Sequence, residues 1–305
     1  MLFAALLISC EPESADPQGT VSVALTDAPI DDASVQGAFV TVAAIKVDGE
    51  LYTGLEGKQT IDLLAYQNGE TLAFGETEIA AGTYQELSLV LDLESDASGQ
   101  APGCYVLTES GEKINLAGSL SNTIELRARQ SFDVETSATT ELVVDVDLRK
   151  AIQRSSSDSY EFVSEAELDA SVRAVQPASS GTVEGEVSAN IGTELDQVVV
   201  YAYQKGTFNK EAETEARNGI AFRNAVSSSL AVHSGDTYLY TLAFLEAGEY
   251  DLCFANYADE DQDGKAEFTG FLNASVFLGG SVISTVSVEA NTEIGLNLNI
   301  LGIVD

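Results

Sequence analysis

The 305-residue chain has no tryptophan, one histidine and three cysteines, and its 14 lysines and arginines stand against 49 aspartates and glutamates. Each scarcity removes a class of chemistry. His233 alone cannot supply a multi-histidine metal site, and neither a nucleophile elbow nor a His-Glu-x-x-His pattern surrounds it. Without tryptophan, any platform for stacking sugars falls to the 11 tyrosines and 12 phenylalanines. A net charge of −35 repels phosphate backbones and anionic headgroups, which argues against nucleic-acid binding and polybasic membrane docking. No apolar run approaches the roughly 20 residues of a membrane-spanning helix. What is present points to packed cores: 45% of residues are hydrophobic and mean hydropathy is +0.05. The length suits two domains better than one.

The first ten residues, MLFAALLISC, form an apolar run that stops at Cys10, with acidic, proline-bearing sequence directly behind it. This resembles a bacterial lipobox, in which a small residue precedes the cysteine that becomes lipidated and N-terminal; the basic residues that usually open such a leader are not there. The resemblance implies residues 1–10 as a signal, lipidation at Cys10, residues 11–19 as an acidic spacer, and attachment to the outer membrane through lipid. Glu11 and Glu13 resemble the acidic signal that sends lipoproteins of the Bacteroidetes to the cell surface, which favours the outward face over the periplasmic one.

Period-two alternation dominates the rest. Val21, Val23 and Leu25 form one apolar row, as do Leu87, Leu89, Leu91 and Leu93, and again Leu142, Val144, Val146 and Leu148. Short strands at 38–47, 124–134, 159–163 and 168–175, separated by Gly, Asn, Ser and Asp, predict an all-β fold of antiparallel β-sandwiches. A short connecting helix or turn is expected at 147–154. A small, polar, proline-bearing stretch at 177–181 then interrupts the pattern, so the sequence divides into an N-terminal β-sandwich over 20–176, a linker at 177–181 and a C-terminal β-sandwich over 182–305. In the second unit, strands are expected near 182–189, 197–203, 221–227, 237–244, 250–255, 274–277, 281–288 and 293–300, and a helix at 209–217. Ala81-Gly82-Thr83-Tyr84 and Ala247-Gly248-Glu249-Tyr250 echo one another, each opening a strand with a glycine turn and a tyrosine.

Two resemblances follow from particular residues. Thr26-Asp27-Ala28-Pro29, then Ile61-Asp62-Leu63-Leu64, Ala81-Gly82-Thr83-Tyr84 and Val144-Asp145-Val146-Asp147-Leu148, are similar to landmarks of the domain of unknown function 4382 over about 19–150. That family occurs in bacterial lipoproteins; it implies compartment and a β fold but no mechanism. Residues 181–257, opening Gly-Thr-Val-Glu-Gly-Glu-Val, resemble a carboxypeptidase regulatory-like β-sandwich, with 209–217 as an insertion.

The sharpest chemical signal is Asp259-Glu260-Asp261-Gln262-Asp263-Gly264-Lys265-Ala266-Glu267. Asp259, Asp261 and Asp263 alternate, Gly264 permits a sharp turn, the Lys265 carbonyl is available, and Glu267 supplies a further carboxylate. Hard oxygens in this order suit Ca²⁺, although Gly270 stands where an EF-hand loop ends in glutamate; an acidic solvated hairpin is the competing reading. Asp27 most simply caps the turn at Pro29 rather than joining Asp31 and Asp32 in a second cation site. Asp145 and Asp147 are expected on the polar, solvent-facing side of a strand, where a glycosidase pair would need a cleft. Tyr201, Tyr203, Tyr238 and Tyr240 are expected to bury their rings, the other reading being a row on an outer face. Cys104 and Cys253 fall in different units, so a disulfide between them would have to cross the boundary, and a buried inert thiol is expected of Cys253.

Together these readings predict a non-catalytic, lipid-anchored envelope protein that binds or scaffolds at the cell surface, with a structural Ca²⁺ site and an unidentified protein or glycan ligand. A carbohydrate-binding accessory lipoprotein is the alternative, and a hydrolase using paired carboxylates the third.

Overall fold

The computed structural model describes residues 16–28, 35–108, 110–154, 159–189, 197–215, 221–234, 237–260 and 266–304. It is all-β apart from a few short helices. Two sheets share one apolar core in the first half. One runs in the order Val172–Val175, Thr139–Asp147, Gln18–Ala28, Leu72–Ala80, and the other centres on Val35–Val47 between Leu87–Asp92 and Tyr105–Thr108. The alternating rows land where the pattern puts them: Val21, Val23 and Leu25, then Leu87, Leu89 and Leu91, then Leu142, Val144 and Val146 all join that core.

The second half forms one large sheet in which Ser180–Ala189, Thr237–Glu246, Ser227–Ser234, Gln197–Gln204 and Gly248–Ala258 are successive neighbours. Strand Glu267–Leu278 pairs with Gly248–Ala258 through its first residues and with Asn297–Val304 through its later ones, so the sheet curls back on itself in a barrel-like closure. Strand Gln197–Gln204 is buried on both faces. Val198, Val200 and Ala202 enter the main core, while Val199, Tyr201 and Tyr203 enter a smaller aromatic core with Phe222, Phe271 and Tyr257. A strand covered on both sides reads as a continuous apolar run, as its sequence QVVVYAYQ does.

Four expectations change. Pairing is not antiparallel throughout, because Gln18–Ala28 runs parallel to Thr139–Asp147, and Ser180–Ala189 runs parallel to both Glu293–Gly295 and Asn297–Val304. The strand expected at 168–175 is a helix, Glu165–Ala170, followed by a shorter strand, Val172–Val175. Its start is fixed by a capping box in which Ser164 and Glu167 satisfy one another's backbone amides, a local signal that the apolar alternation masks. The strand expected at 221–227 begins only at Ser227. The helices at 147–154 and 209–217 contract to Leu148–Ala151 and Lys210–Thr214, the latter started by the Asn209 side chain accepting from the Ala212 amide.

The echoed tyrosines do the same job in both halves. Tyr84 Oη donates to the carbonyl of Ala80 at 2.7 Å and Tyr250 Oη to that of Glu246 at 2.8 Å, each four residues back across the glycine turn. This is the arrangement of a tyrosine corner, and it pins the entry of the following strand.

Candidate functional site

The parallel pairing places two sequence landmarks side by side. Thr26 lies opposite Asp145, Asp27 opposite Val146 and Ala28 opposite Asp147, so three carboxylates meet at the C-terminal ends of neighbouring strands. None faces solvent. Asp27 is 5% exposed, Asp145 and Asp147 7% each, and the second half of the chain covers them. Alternation correctly turned Asp145 and Asp147 away from the first core; the side it turned them toward is a second buried surface. Asp27 is equally buried but pairs with Val146, on the face of the first core, and Pro29, Asp31 and Asp32 lie outside the described residues.

Burying carboxylates demands partners. The short helix after Asp147 and the strand beyond it supply them. Arg173 donates from Nε and Nη2 to Asp145 Oδ2 at 2.8 and 2.6 Å, and its Nη1 reaches across to the carbonyl of Phe244 at 3.0 Å. Arg149 donates to Asp147 Oδ2 at 2.8 Å and to the carbonyls of Ala221 and Phe222, while its guanidinium lies 5.2 Å from the centre of the Tyr201 ring. Lys150 Nζ sits 3.1 Å from Asp147 Oδ2 and donates to the carbonyl of Ala225 at 2.6 Å. Three cations of the first half thus hold its own carboxylates with one hand and backbone carbonyls of the second half with the other.

The electrostatics follow from that geometry. Burial pushes the Asp147 carboxyl upward, but Arg149 and then Lys150 outweigh it and hold the group below the usual carboxylate range. Asp27 goes the other way: burial, reinforced by Asp145 and Asp147, raises it well above that range. Desolvation also lowers Lys150, with Asp147 opposing.

On the second half, the receiving loop is organised by Glu213, which is 2% exposed. Its carboxylate accepts from Tyr203 Oη at 3.0 Å and from the backbone and side-chain amides of Asn224. The first half also reaches over with the Asn68-Gly69 turn, where both residues adopt positive φ. Asn68 Oδ1 accepts from Ser229 Oγ at 3.1 Å, and a Cβ on Gly69 would stand 3.2 Å from that of Ala243. Beside the junction lies a polar cleft of about 380 Å³ between the two halves, lined by Lys150, Glu167, Ala212, Arg223 and Asn224.

The other candidate residues fall elsewhere. Of the acidic loop, Asp259, Glu260 and Glu267 are described, whereas Asp261, Asp263 and Lys265 lie outside the described residues, as does Cys10. Among the described residues no cluster of His, Cys, Asp and Glu has metal-site geometry. Tyr201, Tyr203 and Tyr240 are fully buried, Tyr201 and Tyr203 in the aromatic core and Tyr240 in the main one, so they form no outer row. Cys104 and Cys253 are free thiols in separate cores, each pushed up to about 12 by burial. Arg149, Lys150, Arg173 and Glu213 were not legible as site residues; the available signal was the gathering of rare cations directly after Asp145-x-Asp147.

Residues 18–164 match the model of a domain of unknown function, DUF4382. Just under half of the chain is thereby similar to DUF4382. One sheet of the first half continues past the matched residues, because Val172–Val175 pairs antiparallel with Thr139–Asp147 and brings Arg173 opposite Asp145. A search of curated proteins gave no match. Among solved structures, the chain is similar to a leucine-rich repeat protein of Bacteroides thetaiotaomicron at 13% identity and a TM-score of 0.25, over 93% of this chain and 26% of that one. It is also similar to the minor pilin GBS52 of Streptococcus agalactiae at 12% identity and a TM-score of 0.23, over 93% and 96% of the respective chains. A candidate cell adhesion protein of Bacteroides fragilis is similar at 8% identity and a TM-score of 0.21, over 91% and 92%. No helix among the described residues is long and apolar enough to cross a membrane.

Proposed function

We propose that this chain is a non-catalytic envelope protein, held at the outer face of the outer membrane by lipid on Cys10, whose DUF4382-like domain and C-terminal β unit act together as a binding or scaffolding body. The observation that carries this reading is the use made of Asp145 and Asp147. A hydrolytic pair needs carboxylates that flank an accessible substrate, whereas these two are covered by the second half and held by Arg173, Arg149 and Lys150. Their charge fastens two units, 20–176 and 182–305, across the short stretch 177–181. In this reading Asp259, Asp261, Asp263, the Lys265 carbonyl and Glu267 hold a structural Ca²⁺ on the second unit.

Expression with a complete leader tests the anchor. Cys10→Ser should move the protein from the membrane fraction to the soluble one, and protease added to intact cells should degrade the wild type. Retention of the variant in the membrane fraction, or full protection of the wild type in intact cells, would overturn the reading.

A further inference from the structure

A sheet that ends on an open strand offers unpaired backbone groups to another chain, and folded proteins cover or charge such ends. Among the described residues, the two main sheets of the first half guard all four of their end strands. The Arg127 amide on Thr123–Ala128 donates to Asp169 Oδ1 at 3.0 Å, and the Ala174 amide on Val172–Val175 to Gln130 Oε1 at 3.1 Å. Along Leu72–Ala80, Tyr52 Oη donates to the Gly75 carbonyl, and Glu76 and Glu78 add charge. The remaining end strand, Lys113–Asn115, carries Lys113.

The large sheet of the second half ends differently. Its end strand Ser281–Ile283 folds back on Glu267–Leu278 through the turn Gly279-Gly280, both at positive φ. In this register Leu278 and Ser281 are the hydrogen-bonded pair that closes the turn. The next pair, Phe277 with Val282, is not hydrogen-bonded, so Val282 turns its N–H and C=O outward, and no strand among the described residues lies beyond it. The Val282 residue is 65% exposed, and Leu278, at the turn, 42%. No charged residue occurs from 268 to 288, in a chain of which 21% is charged. This end therefore lacks the lysine, carboxylate or covering side chain that guards the others.

Charge selects the occupant. Two chains of −35 repel wherever their carboxylates meet, and here a second copy approaches without setting one against another. We propose that Ser281–Ile283 pairs antiparallel with the same strand of a second copy, about a two-fold axis through Val282, joining two large sheets edge to edge. The contact is self-complementary. Each Val282 exchanges N–H and C=O with the other, and the outward row of Phe277 and Val282 runs on into its symmetry mate. Three residues a side limit the ladder to about two to four hydrogen bonds, so the association is weak. It goes beyond the envelope role proposed above and does not depend on the anchor at Cys10.

Cross-linking of the full chain in a Cys10→Ser background tests this, since Cys104 and Cys253 are buried. The pairing sets the two 282 Cα atoms about 5.5 Å apart, within disulfide reach. Val282→Cys should form a covalent dimer under mild oxidation, whereas Leu51→Cys, at a position 64% exposed in the first half, should not. In sedimentation equilibrium, Val282→Lys should raise the dimer Kd at least about tenfold with an unchanged melting temperature, because it sets like charges opposite one another. Raising salt from about 0.01 to about 0.15 M should lower the wild-type Kd by screening the rest of the two chains. Absence of cross-linking at 282, equal cross-linking at 51, or a dimer indifferent to Val282→Lys would overturn the proposal. A monomer that instead binds an uncharged extended peptide along this edge would overturn it in favour of a foreign strand.

Discussion

Phe222 and Phe244 are matched: both hold a left-handed backbone, with φ of 53° and 55°, and each presents its carbonyl to an arginine of the other half, Arg149 and Arg173 respectively. Bulky residues adopt this conformation at a cost of roughly 1–2 kcal/mol, so two such turns at one interface indicate that the surrounding contacts hold them there.

The two side chains differ, and so should their glycine variants. Phe222 is fully buried and stacked on Tyr201 with ring centres 4.4 Å apart, whereas Phe244 is half-buried. Phe222→Gly should destabilise by more than about 3 kcal/mol despite relieving the backbone. Phe244→Gly gains the same relief against a smaller loss and should stay within about 1 kcal/mol of wild type. Chemical denaturation measures both; a cost for Phe244→Gly well above about 1 kcal/mol would show that the backbone conformation carries no strain, and equal costs would show that burial of the Phe222 ring adds nothing.

Breaking the junction on the arginine side should be costlier than breaking a surface pair. Arg149→Ala removes one partner of a buried pair and leaves Asp147 held by Lys150 alone, which should cost about 3–5 kcal/mol. Lys205→Ala, at the exposed pair with Glu249, should leave the unfolding midpoint unchanged. Comparable midpoints for the two variants would place Arg149 outside the stabilising set.

Each tyrosine corner can be tested with one atom. Tyr250→Phe leaves a partly buried carbonyl without its donor and should cost about 1 kcal/mol, while Tyr84→Phe, at a solvent-exposed bond, should cost less. Urea denaturation resolves the difference, and the reverse order would mean that the corner does not fix strand entry in the second half.

For the acidic loop, Ca²⁺ at 100 times Kd should stabilise the fold by about 2.7 kcal/mol. The melting temperature should rise in Ca²⁺ relative to chelator at matched ionic strength, since salt alone screens a −35 chain, and Asp261→Ala should abolish the rise. Equal melting in both buffers would leave a solvated hairpin.

The fold was legible wherever one strand face is buried. The rows headed by Val21, Leu87 and Leu142 all enter the core, because period-two patterning encodes a single covered face. The pattern is silent where both faces are covered. Asp145 and Asp147 occupy polar positions of Thr139–Asp147, and only the second half, more than 70 residues further along the chain at Ala221 and Phe222, makes those positions interior. Glu165–Ala170 was missed because its capping box lies between apolar residues that also fit a strand. The family landmarks were visible as text, but their parallel adjacency, Thr26 against Asp145, is a property of register that spacing does not reveal.

That same pairing bears on how the molecule acquires its structure. Val21 finds Thr140 as its partner in one half, and Val187 finds Leu298 in the other. Chain made from its N-terminus therefore holds each opening strand without its parallel neighbour until more than a hundred further residues have been synthesised. Contacts so distant in sequence slow folding, so neither sheet can be completed from its early strands alone, and the latest-made residues of each half decide when it becomes native.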